Sequence, residues 1–112
     1  MTPGTYNIEI YRGDSTLETV FTFGGLTADL ASVQMDIRPV GITSVLIRRF
    51  SSAAGDFTIN DPVTGVVTLA PYRWEGAAGV YAHDIQLTQV DGVVQTYLRG
   101  SFTVIQDITQ DD

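Results

Sequence analysis

The chain has 112 residues, enough for one domain whose core needs no metal or disulfide staple, and it contains no cysteine. Thirteen acidic residues against six basic ones give a formal charge of -7, the wrong sign for neutralising phosphates, so nucleic acid is excluded as an expected partner. The missing thiols remove disulfide frameworks, thiolate metal sites and cysteine nucleophiles, and no apolar run reaches membrane-spanning length.

The opening "MTPGTYNIEI" has no basic region leading into an apolar segment, so the expectation is a chain made in the cytoplasm and without membrane contact. All six cations are arginine, and charged residues make up 17% of the chain, against roughly 25% in ordinary domains. Arginine is enriched and lysine depleted in protein interfaces, and lysine also blunts exposed sheet edges. A surface covered by neighbours accounts for this composition, and so does codon usage that favours arginine.

Threonine, valine and isoleucine contribute 14, 12 and 9 residues, and no segment keeps a helical period, so the pattern is all-β. "TYNIEIYR" alternates Tyr6, Ile8 and Ile10 against Asn7, Glu9 and Tyr11, and "TLETVFTF" sets Leu17, Thr19, Phe21 and Phe23 on one face. In "SVQMDIRP", Val33, Met35 and Ile37 alternate with Gln34, Asp36 and Arg38 until Pro39 ends the strand. "TSVLIRRF" and "DFTIN" follow as shorter strands around the loop "SSAAG", and "NDPVTG" turns the chain into the strand "VVTLA". "PYRWEGAAG" suggests one helical turn with Trp74 plugging an end of the core. Last, "VYAHDIQLTQV" and "VVQTYLRGSFTVI" flank Asp91-Gly92, a strong hairpin signal, and are expected to pair antiparallel.

Seven to eight short strands with turns every eight to twelve residues predict an immunoglobulin-like antiparallel β-sandwich. One domain spans 1–106, and an acidic C-terminal tail, 107–112, follows it. Tyr81, at the start of the penultimate strand after a glycine-rich bend, fits a tyrosine corner.

Several short motifs compete with bland explanations. Arg12-Gly13-Asp14 matches an integrin-binding tripeptide, but it falls where two strands need a turn, and glycine and aspartate supply that turn. His83 is the only histidine, so it is the only imidazole for a catalytic triad, and its parity with Tyr81, Ile85 and Leu87 makes it an inward, satisfied residue. Asp84 is on the opposite face, within reach of a surface pair with Asp36 or Arg38. The carboxylates are scattered over turns and outward positions without a loop insertion to desolvate a pair, so no enzyme is expected and no catalytic residue is assigned. "NDPVTG" and "DGVVQ" hold oxygen donors but no dense ligand loop, so neither a metal nor any other cofactor is expected. Tyr11, Tyr72, Trp74 and Tyr97 fit core and subunit contacts better than a sugar-stacking platform.

The order "RGDST", "ADLASVQMDIR", "TGVVTLA", "GVYAHDIQL", "VDGVVQTYLRG" and "GSFTVIQDIT" resembles a group of small bacteriophage virion proteins over nearly the whole chain. It is similar to the immunoglobulin-like module at the N-terminus of phage baseplate upper proteins and in related small tail and neck proteins. The sequence departs from that pattern at "ADLAS", which lacks a threonine-glycine pair, and at His83, where an aromatic is common. The resemblance implies a non-enzymatic structural protein of the virion, made in the host cytoplasm and assembled as repeated copies with other phage virion proteins, with fibre anchoring as a further role. On this reading Arg38, Arg48, Tyr72, Tyr97 and Arg99 are outward protein-contact residues, and Tyr81, Trp74, Ile85, Val33, Met35 and Phe102 are core. Capsid decoration, a head-fibre protein, and a host receptor- or carbohydrate-binding module are the competing roles.

Overall fold

The computed structural model describes residues 4–42 and 44–106; the acidic tail expected at 107–112 lies outside them. Among the described residues nine strands follow one another: β1 (Gly4–Thr5), β2 (Ile8–Tyr11), β3 (Thr19–Thr22), β4 (Leu30–Pro39), β5 (Arg48–Ser51), β6 (Phe57–Asp61), β7 (Val66–Leu69), β8 (Gly79–Gln89) and β9 (Val94–Ile105). They form two sheets, one in the order β1-β9-β8-β4-β5 with β2 also on β9, the other β3-β7-β6. This is the immunoglobulin-like β-sandwich that the strand spacing predicts. Because β1 and β2 lie on one strand path broken at Tyr6 and Asn7, the nine segments amount to eight strands.

Alternation fixes the core. Val33, Met35 and Ile37 of β4, and Ile85 and Leu87 of β8, meet Phe21, Phe23, Phe57 and Val67 from the other sheet, all buried. Each such side chain contributes about 1.5–3 kcal/mol by leaving water, which orders both sheets around one apolar layer. Trp74 closes one end of this layer, with its ring centroid 5.2 Å from Phe102 and 5.3 Å from Tyr81. The corner forms as expected: Tyr81 Oη donates to the carbonyl of Ala77 at 2.7 Å, and Trp74 Nε1 donates to the same oxygen at 3.1 Å.

Four local expectations need correction. Residues 71–78 form no helical turn but run extended, since Thr16 N–H donates to Tyr72 O at 2.8 Å and Tyr72 N–H donates to Thr16 Oγ1 at 2.9 Å. Leu17 is not inward but 86% exposed, because β3 begins only at Thr19. The strand expected from Thr43 starts at Arg48, leaving an apolar connection before it. Finally, β1 and β2 join β9 in parallel, while all other pairings between the strands are antiparallel.

The parallel junction depends on Gly100. A Cβ there would run into the carbonyl of Tyr6 and lie 2.7 Å from Asn7 Oδ1, so only glycine lets the N-terminal strand cross β9 between its two pairings. Asn7 Oδ1 then accepts from the Ser101 N–H at 3.0 Å, and the Tyr6 carbonyl accepts from His83 Nε2. His83 is therefore inward and bonded, as its parity predicts, although its buried Nδ1 has no partner.

Candidate contact surfaces

The outer face of the larger sheet carries a cluster of charged side chains. Asp36 on β4 faces Arg49 on β5 and Asp84 on β8, and Asp84 faces Arg99 on β9, so four charged residues stand in one row across four strands. Asp36 is the hub. Arg49 grips it with Nε at 2.7 Å and Nη2 at 3.1 Å, and Arg38 adds Nη2 at 3.1 Å. These forked, charge-assisted bonds roof the carboxylate so closely that it is buried on a face otherwise open to water.

The row splits two carboxylates apart in proton affinity. Burial pulls the Asp36 carboxyl up, but the bonds and charges of Arg49 and Arg38 outweigh it and hold the group below its ordinary value. Asp84 is pushed up instead, first by burial and then by the charge of Asp36, with Arg38, Arg99 and His83 offsetting only part of this. Arg38 Nη1 reaches Asp84 at only 4.0 Å, a contact too loose to compensate. Beside the row, Arg38, Pro39, Gly41, Asp84, Arg99 and Thr5 line a shallow recess of about 400 Å³.

Arg38 and Arg99 thus stand on the outer face, as expected for contact residues. Arg48, Tyr72 and Tyr97 do not stand free. Arg48 pairs in register with buried Ile37, and its guanidinium lies 4.4 Å from the Phe50 ring centroid, with Nη1 donating to Arg73 O at 2.6 Å. It caps the rim of the core. Tyr72 is half-buried, 4.7 Å from Phe50 by ring centroids, and burial pushes its hydroxyl up to about 12. Tyr97 packs edge-on against Phe23 at 5.0 Å and its hydroxyl donates to Gly24 O at 2.7 Å.

The reason for Tyr97 is a bulge. Ile85 pairs with Leu98 and Gln86 with Thr96, so Tyr97 is the extra residue on β9 and is re-aimed inward. Arg48 turns inward for a simpler reason: Phe50 is buried, so alternation along β5 sends Arg49 out and Arg48 in. That parity is the sequence signal for Arg49, the side chain that makes two hydrogen bonds to Asp36. Trp74, at 2% exposure, offers no platform for a sugar.

The connection between β4 and β5 is the other unusual surface. Val40, Ile42, Val45, Leu46 and Ile47 are between 43% and 61% exposed. Among the described residues no three His, Cys, Asp or Glu side chains gather into a metal-holding group, and no helix is long and apolar enough to cross a membrane.

No protein-family model matches the sequence, and no curated protein matches it. Among solved structures, the chain is similar to the one described as "The crystal structure of CopC from Methylosinus trichosporium OB3b", with a TM-score of 0.51 and 14% identity over 93% of this chain and 90% of that one. At that identity the likeness is one of fold, and it places this chain with the immunoglobulin-like β-sandwiches.

Proposed function

We propose that this chain is a non-enzymatic structural module of a bacteriophage virion, placed in the tail, baseplate or neck and acting through contacts with other virion proteins and further copies of itself. The observation that carries the reading is the apolar segment from Val40 to Ile47, whose five large aliphatic side chains stay at least 43% exposed. Large aliphatic side chains left exposed in this number cost solubility in an isolated domain and are stabilised when a neighbour covers them. Arg38 and Arg99, at the recess on the same sheet's outer face, add the polar component that interfaces favour. The order of turn and core motifs, similar to phage tail and neck modules along nearly the whole length, supports the virion as the setting.

The test is the copy number of this chain in purified particles, measured by quantitative mass spectrometry against the major capsid protein. A small number matching tail or neck symmetry is the expected result. Copies in proportion to the capsid lattice would transfer the role to capsid decoration, and absence from particles would overturn the virion reading. A charge reversal at the outer face gives a local check. Arg99→Glu is expected to leave melting unchanged and to reduce incorporation; full incorporation would remove Arg99 from the contact surface.

A further inference from the structure

We infer that the free edge of β3 is a self-pairing surface, through which two copies of this chain join their smaller sheets antiparallel about a two-fold axis. The inference deepens the assembly reading and rests on it.

Each sheet ends in strands with one open side, and these edges are not equally protected. β5 begins with two arginines, β2 carries Glu9, and β6 ends in Asp61 with a register shift between Ile59 and Asp61. Charges and bulges of this kind are what keep sheet edges from pairing. β1 is only two residues long. β3, with the sequence TVFT, has no charge, proline or bulge, and its residues favour extended structure. Among the described strands of four or more residues, it is the one unguarded edge.

Its open side is also accessible. The N-terminal strand pairs with β9 rather than with β3, and the gap between β2 and the start of β3 is an open cleft of about 500 Å³. Phe23 N–H donates to Gly65 O on the β7 side, so by alternation Phe21 and Thr19 also turn their backbone groups to β7. The N–H and C=O groups of Val20 and Thr22 therefore point into the open edge.

This spacing is self-complementary. In an antiparallel pair centred on Phe21, Val20 of one protomer faces Thr22 of the partner subunit, and the reverse pair repeats it across the axis. Both are hydrogen-bonded pairs, together taking up four N–H and four C=O groups in four bonds. The register sets Glu18 against Gly24 of the partner subunit, so no like charges meet. It also covers Val20, which is 60% exposed, with the partner's Thr22.

The test uses the full chain, by sedimentation equilibrium. Val20→Glu with Thr22→Glu puts acidic pairs directly opposite each other at both contacts, and Val20→Lys with Thr22→Lys does the same with cations. Both positions face solvent in the protomer, so circular dichroism and melting are expected to stay near wild type. The expected result is a wild-type dimer, self-association weakened by about tenfold or more in each double variant, and recovery when the two variants are mixed. A monomeric wild type, or a dimer that survives both double variants, would overturn the pairing. Cysteine pairs give a register check in a chain with no thiol of its own. Val20→Cys mixed with Thr22→Cys should crosslink readily, since the facing Cα atoms lie about 5.5 Å apart, and failure to crosslink would reject this register. Copy number in particles counts the chain whichever edge it uses, so failure here would leave the assembly reading to that measurement.

Discussion

Asp36 and Asp84 are direct cross-strand partners on β4 and β8, yet one is held ionised by two arginines while the other is pushed towards its neutral form. The asymmetry arises because Arg49 reaches only Asp36, and Arg38 lies nearer to Asp36 than to Asp84. Asp36→Asn is expected to lower stability by about 1–3 kcal/mol, since it removes the negative charge and replaces one of the two acceptor oxygens with an NH2 group that faces guanidinium donors. It should also lower the pKa of Asp84, whose neighbouring charge disappears. Urea unfolding measures the first effect and carboxyl-carbon NMR titration the second; an unchanged Asp84 titration would show that the two groups do not communicate.

His83 predicts the pH dependence in the range just above the carboxylates. Burial lowers its folded pKa below 6.5, with the Tyr6 carbonyl and Asp84 offsetting part of the effect. The unfolded chain thus takes up the proton first. The stabilisation due to neutral His83 is complete above about pH 6.5 and is lost as pH falls towards the folded pKa. Unfolding free energy should decline as pH falls below about 6.5 in the wild type and decline less in His83→Leu. Parallel profiles for the two proteins would refute the assignment.

The tyrosine corner offers a cleaner measurement than removing the ring. Tyr81→Phe deletes one hydrogen bond to Ala77 O and keeps the aromatic contact with Trp74. The expected cost is about 0.5–1.5 kcal/mol, because the carbonyl retains Trp74 Nε1 as donor. Tyr81→Ala, which also empties the ring's space, should cost a few kcal/mol more. Equal effects would mean that the hydroxyl alone carries the corner.

Gly100→Ala tests the N-terminal crossing. The added methyl group collides with the Tyr6 carbonyl and the Asn7 side chain, both of which are held by other bonds. A loss of about 1–3 kcal/mol is expected, with faster amide exchange concentrated in β1 and β2. Exchange unchanged in those strands would place the crossing elsewhere.

Most of the core was legible because alternation and burial have the same period: Val33, Met35, Ile37, Ile85, Leu87 and Phe102 follow directly from counting by two. Counting fails where a single residue is inserted. The bulge at Tyr97 reverses parity for the part of β9 before it, so that Gln95 rather than Val94 or Thr96 stands opposite buried Leu87, and nothing in "VVQTYLRG" marks the change. The extended path of Pro71 to Trp74 was equally hidden, because its decisive partner, Thr16, is 56 positions away while the proline signal is local. Of the five expected contact residues, the two on regularly alternating parts of β4 and β9, Arg38 and Arg99, came out on the outer face; Arg48, Tyr72 and Tyr97 are bound up with the rim of the core.

The parallel ladder between β2 and β9 also constrains how the molecule comes into being. Asn7 and Ser101 are bonded across 94 positions of sequence, and β9 is at once the partner of β1, β2 and β8. Synthesis makes β1 and β2 before the other seven described strands, yet their sheet partner β9 follows all of these. Until β9 emerges, the growing chain carries β1 and β2 unpaired and β8 with an open side, so the larger sheet cannot close before β9 is made. Contacts of such long sequence separation slow folding by requiring nearly the whole chain to be gathered first. The same arrangement makes truncation all-or-none in effect, since a chain stopped before β9 loses the seam that binds its beginning to its end.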